Sequence, residues 1–190
     1  MFNSFLASNY LKFKKISMKN TSKFLIAITV LLSISNSFAQ ISKAEIIATG
    51  LTCSMCSNAI NKQLKKLPEV EKVDIDLNSN TFTISLKKNN TISPRILKES
   101  VQKAGFFVGS MVISIDFDNQ KINDNSKFKK DNLNLIFIDT NTKTLNGIMK
   151  FKVLDKGYLV IKDFKKNLKS YSKYPSYMID NEDDYHLKTL

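Results

Sequence analysis

Apolar positions along this chain change their period several times between residues 44 and 115, and each change marks an element. Residues 44–49 are a short apolar run ending at Gly50, which predicts a strand. Over residues 53–67, Cys56, Ile60, Leu64 and Leu67 recur at helical spacing, while Asn61, Lys62, Lys65 and Lys66 fall on the other side. That is an amphipathic helix, stopped by Pro68. Val73, Ile75 and Leu77 then alternate with charged residues, Asn78-Ser79-Asn80 supplies a turn, and Phe82, Ile84 and Leu86 alternate again. Two period-2 runs about a short polar turn predict a hairpin. Ser93-Pro94 predicts a helix start, with Ser as N-cap and Pro at the first helical position. Leu97, Val101 and Ala104 form its buried stripe, Gly105 ends it, and residues 106–115, "FFVGSMVISI", close as a strand. The order β-α-β-β-α-β in about 70 residues is the split βαβ arrangement called ferredoxin-like, an antiparallel sheet with both helices on one face.

The pattern weakens after Ile115. Residues 116–132, "DFDNQKINDNSKFKKDN", have the composition of a linker. Residues 133–140 and 148–154 predict strands, with Asn146-Gly147 available as a turn between them. Lys156-Gly157 can turn the chain into residues 158–161, and residues 162–171 predict a short basic helix. The tail sets Tyr171, Tyr174, Tyr177 and Tyr185 among Asp180, Glu182, Asp183 and Asp184. Residues 133–190 therefore read as a small β-rich module, and the fold class as α+β: a ferredoxin-like βαββαβ domain at 43–115 followed by that module.

Residues 1–39 stand apart. From Met18, itself a candidate start, they give a basic opening (Lys19, Lys23), an apolar run over residues 24–34, and small residues Ser37 and Ala39 before Gln40. This is the layout of a cleaved signal peptide. The apolar run is short of the roughly 20 residues that a membrane-spanning helix needs. The expected location is periplasmic or secreted, with no membrane-spanning segment after leader cleavage. The formal charge is +12, and removing the leader's five lysines leaves +7. The excess is spread thinly, without a dense basic block interleaved with aromatics, so nucleic acid is not an expected partner, although a secreted basic protein can still meet anionic surfaces.

The two cysteines of the chain, Cys53 and Cys56, lie three residues apart in "GLTCSMC". A Cys-x-x-Cys disulfide closes only a small ring and constrains the unfolded chain little. The same spacing makes a good chelate or redox pair. At a helix N-terminus the partial positive charge favours thiolates. Two soft sulfurs suit Cu(I), and also Hg(II). Closed Zn(II) sites take four ligands, and the chain has one histidine, His186, and no second cysteine pair. The residues alone leave thiol–disulfide exchange open as the rival.

Gly50, Thr52, Cys53 and Cys56, set at the end of a first strand within β-α-β-β-α-β, resemble the metal loop G-M-x-C-x-x-C of the heavy-metal-associated domain family. That family includes copper chaperones, N-terminal domains of copper-transporting P-type ATPases and a periplasmic mercury-binding protein. Leu51 replaces the usual Met with an apolar residue of similar volume. Ala104-Gly105-Phe106 resembles the family's Gly-aromatic step, where many soluble copper chaperones carry a Lys instead. The resemblance covers residues 43–115. It implies metal ligation by Cys53 and Cys56, with Cu(I) as the leading ion and Hg(II), Zn(II) and Cd(II) as alternatives. It also implies a metal donor or acceptor protein as partner, such as a membrane metal transporter.

Other candidates have plainer readings. Leu51 and Phe106 read as packing residues, Met55 as solvent-facing, Met111 as core, His186 as a surface histidine, and the tail tyrosines as packing. The lysines of the first helix form a solvated face able to steer a partner. With no Gly-rich phosphate loop and no histidine near a nucleophile in sequence, no enzyme is expected. The function expected is binding and transfer or sequestration of a soft metal ion outside the cytoplasm. The alternatives are a thiol–disulfide redox protein, or a partner-binding module with an incidental metal site.

Overall fold

In a computed structural model, which describes residues 40–130 and 133–190, the front half follows the expected order. It runs β1 (Gln40–Thr49), α1 (Ser54–Lys65), β2 (Val70–Asp76), β3 (Thr81–Leu86), α2 (Pro94–Lys103) and β4 (Phe107–Ile122). The sheet order here is β2-β3-β1-β4, with every neighbour antiparallel. Both helices lie on one face: Ile60 and Leu64 of α1 and Leu97 and Val101 of α2 pack on Ala44, Ile46, Ile84 and Ile113. Ser93 caps α2 as the sequence predicts, its hydroxyl accepting the Ile96 N–H at 3.3 Å. Gly105, just past the helix, takes φ +89, a left-handed value that glycine reaches without strain.

The back half departs from expectation. Residues 116–130 are strand rather than linker: β4 runs on to Ile122, and β5 (Ser126–Lys130) follows. The chain continues through β6 (Leu133–Phe137), β7 (Lys143–Val153), α3 (Ile161–Ser170), a 3-10 turn (Pro175–Met178) and β8 (Asp184–Thr189). β7 pairs with β4 from Val112 to Ile122, so the whole forms one eight-stranded sheet, β2-β3-β1-β4-β7-β8-β6-β5. The β-rich module is thus built on the edge of the ferredoxin-like sheet and is not a separate body. The described residues from Gln40 onward cluster as one compact unit. Asn146-Gly147 is no hairpin turn but lies inside β7, where Gly147 faces Phe117 next to a bulge at Asp118-Asn119. The signal-peptide reading concerns residues outside the described ones.

Phe117 shows why the halves join. It is buried, and its ring meets Phe128, Phe137 and Phe151 edge-on, with centroids 6.2, 6.1 and 5.7 Å away. These rings continue the core lined by Ile113 and Ile115. On the opposite face of the sheet, α3 covers a second cluster. Phe164 and Leu168 pack there against Ile136, Ile138, Leu154 and Leu159, with Tyr171, Tyr174 and Tyr177.

Candidate metal site

The loop between β1 and α1 is shaped from both ends. Gly50 takes φ +87, which turns the chain out of the sheet, and Leu51 packs back onto the core. Cys53 is the N-cap of α1 in extended backbone (φ −156°, ψ 163°), with no side-chain capping bond. Its carbonyl accepts the Cys56 N–H at 3.1 Å, and buried Ser57, Ile60 and Leu64 seat the helix. The sulfurs therefore converge over the helix N-terminus, with Sγ to Sγ 3.0 Å, and both cysteines are free. Cys53 is exposed and Cys56 half-buried.

The Cys56 thiol is lowered to about 7 by the hydrogen bond from Cys53, helped by the backbone N–H of Thr52 and opposed by desolvation. Near neutral pH a large fraction is thus thiolate, the form that binds metal and attacks disulfides. The Thr52 hydroxyl lies 4.0 Å from the same sulfur. Beside the loop is a shallow groove lined by Leu51, Thr52, Cys53, Ser54, Ser57, Leu77 and Asn80. Among the described residues, no group of three or more His, Cys, Asp or Glu side chains is placed to hold an ion. The arrangement offers two sulfur donors at the surface, a set for a soft ion of low coordination number.

Sequence reasoning placed the neighbours correctly, with one exception. Met55 is 80% exposed and Met111 is fully buried. Phe106 packs against the core, close to Gly50. His186 was read as a surface residue and is instead 1% exposed. Its Nδ1 bonds Asp155 Oδ1 at 2.6 Å, its Nε2 bonds Ser176 Oγ at 3.0 Å, and its backbone N–H donates to Asp155 Oδ2 at 2.7 Å. The Tyr177 ring covers the imidazole edge-on at 5.1 Å. These partners lie 31 and 10 residues away in sequence, so no local pattern announces them. The connectivity is that of a catalytic triad, but neither the imidazole nor Ser176 lines the adjoining cavity between α3 and residues 177–184. The group ties the turn after β7 to β8 and the 3-10 segment.

The geometry describes a ferredoxin-like fold that carries a surface dithiol at the start of its first helix. The heavy-metal-associated domain profile matches residues 45–107. A copper-transporting ATPase of Saccharomyces cerevisiae is 39% identical over 57 residues, and a probable copper-transporting ATPase of Arabidopsis thaliana is 33% identical over 66. These stretches are 30% and 35% of this chain and 6% of each ATPase, so the chain spans a small part of these relatives. Among solved structures, a yeast copper transporter domain, studied in apo and Cu(I)-loaded states, is 34% identical, with a TM-score of 0.32; the match covers 34% of this chain and 88% of that one. An Atx1–Cu(I)–Ccc2a complex matches at 32% identity over 38% of this chain and 93% of that one, also with a TM-score of 0.32. Residues 45–107 belong to the heavy-metal-associated domain family.

Proposed function

We propose that the chain binds one Cu(I) through the thiolates of Cys53 and Cys56 and passes it to or from a partner protein outside the cytoplasm, acting as a carrier and not as a catalyst. The convergence of two free thiols at an exposed helix N-terminus carries this reading. Two-coordinate ligation leaves the ion open to a partner's thiols, so transfer proceeds by ligand exchange. To admit an ion the sulfurs must part from 3.0 Å to roughly twice a metal–sulfur bond of about 2.3 Å. Cys53, the more exposed of the two and with no side-chain capping bond, is the one free to swing. The copper proteins among the relatives support the choice of ion. The leader-like composition of residues 1–39 supports the location.

The test is a Cu(I) competition titration on the reduced chain. Wild type should take up one equivalent, Cys53→Ser and Cys56→Ser should lose tight binding, and Met55→Leu should match wild type. Equal uptake by wild type and Cys53→Ser would end the proposal. Because protons compete for the thiolate, affinity should fall as pH drops through about 7, the Cys56 value. A thiol–disulfide enzyme would instead bind copper weakly and reduce an insulin disulfide with turnover.

A further inference from the structure

We infer that the sheet face bearing α3 docks on an anionic phospholipid surface. Two independent features of that face point there. The first is α3 itself. Phe164 and Leu168 form its inward seam, while Lys162, Lys165, Lys166 and Lys169 are exposed, and at 100° per residue all four fall within one arc on the far side. Asp163, the helix's one acid, lies outside that arc. None of the four lysines is in an ion pair among the described residues.

The second feature is the uncovered sheet beside the helix. Cross-strand partners share a face, so the rows Glu45–Val112–Lys152 and Lys43–Ser114–Lys150 carry three lysines and one carboxylate, Glu45, which pairs with Lys43 and Lys150, and the next row adds Asp116. Lys188, opposite Lys152, belongs to the same face as His186 and α3, away from α1 and α2, and is paired there with Asp139. Exposed apolar side chains adjoin it. Ile161, the first residue of α3, is 62% exposed, Val160 caps the helix, and Phe107, opposite Thr49, is 66% exposed. Val160 donates its N–H to the Gly109 carbonyl at 3.1 Å, which holds this end of α3 beside Thr49, the residue before the thiol loop.

The occupant is a bilayer rather than an acidic protein for a chemical reason. The four lysines of α3, free of ion pairs among the described residues, are point charges on flexible stems, which suit a fluid field of headgroups, whereas a matched protein surface favours preset geometry. Apolar side chains at the end of a basic arc are what an interfacial helix inserts. Docked this way, the protein would hold the thiol loop close to the membrane surface. The inference does not depend on which metal the loop carries.

The test is co-sedimentation of the full chain with vesicles of phosphatidylcholine alone or with 30 mol% phosphatidylglycerol, read as the ratio of the two partition coefficients. Any lipid affinity of residues 1–39 enters every variant alike. A lysine at an anionic surface is worth roughly fivefold in partition. Lys165→Gln/Lys166→Gln should therefore lower the ratio by roughly 25-fold, and added salt should lower it further. The same charge loss on the opposite face, Lys62→Gln/Lys65→Gln, should leave it near wild type. These side chains are exposed, and circular dichroism will show both variants folded. An equal drop in both variants would mean that net charge alone acts, and would overturn the inference. So would wild-type partition that ignores phosphatidylglycerol while the chain binds polyglutamate beads, which would assign the face to an acidic protein.

Discussion

The two halves of this sheet each gather reactive side chains, and they treat them in opposite ways. In front, Cys53 and Cys56 stand at the start of α1 after a loop turned by Gly50, one exposed and one half-buried, with one thiol lowered to about 7. Behind, Asp155, His186 and Ser176 form a hydrogen-bonded chain as well connected as that of a serine hydrolase, but the imidazole is sealed under Tyr177. Burial pushes the Asp155 carboxyl up, and the His186 ring pulls against it. Connectivity alone does not make a reactive site; access decides. The thiols are positioned by backbone, hydrogen-bonded to each other and reachable by a ligand, whereas the buried group satisfies itself out of reach, which is what a structural polar cluster does.

The comparison breaks first if the halves are not one cooperative unit. Phe117→Ala removes the ring on which Phe128, Phe137 and Phe151 meet and should cost about 3–5 kcal/mol. If the core is shared, both halves should then unfold at the same lower denaturant midpoint. All tyrosines from Gln40 onward lie beyond residue 150, so tyrosine fluorescence follows the back half, while hydrogen exchange at Ile46 and Ile84 follows the front. A front half that keeps its wild-type midpoint would mean that β4 belongs to two separate cores.

The next test bears on the buried group. His186→Ala leaves the Asp155 carboxyl in a site built for a partner, at a cost of about 3 kcal/mol, since breaking a buried pair exceeds the worth of the pair itself. Ser176→Ala removes one hydrogen bond and should cost about 1 kcal/mol. Urea denaturation measures both, and Cu(I) affinity should change with neither. Labelling of Ser176 by a fluorophosphonate probe would contradict the structural reading.

How legible each half was follows from the same contrast. The thiol loop, the α2 cap at Ser93 and the alternation in β2 and β3 are local: neighbours in sequence set them, and the sequence shows them. The extension of β4 is not local. Past Phe117 a bulge carries the chain through Asp118 and Asn119, with Asn119 at φ +48, and the period-2 signal breaks just where the strand continues. Only Phe117 and Ile122 point inward there, so the stretch has the composition of a linker while making ladder bonds to β7. Asn146-Gly147, a turn signal taken alone, is absorbed by pairing with that same bulge region. His186 looked like a surface residue because Asp180, Glu182, Asp183 and Asp184 precede it; strand alternation then turns it inward beneath α3.

The smallest effect expected lies where the halves touch at the surface. Arg95 of α2 reaches across to the turn before β8, with Nη1 3.2 Å from Glu182 and Nη2 3.2 Å from Asp183. Both carboxylates are largely exposed, Glu182 at 71% and Asp183 at 52% of the side chain, so water and salt screen the pair. Glu182→Ala should cost less than about 1 kcal/mol, and the loss should vanish in high salt. Arg95 keeps Asp183 in the single variant, so the double variant Glu182→Ala/Asp183→Ala is the sharper measurement. If the double variant costs no more than about 1 kcal/mol in urea denaturation at low salt, the halves are held together by β4, β7 and the Phe117 cluster. A cost near that of Phe117→Ala would shift the junction from the apolar core to this surface pair.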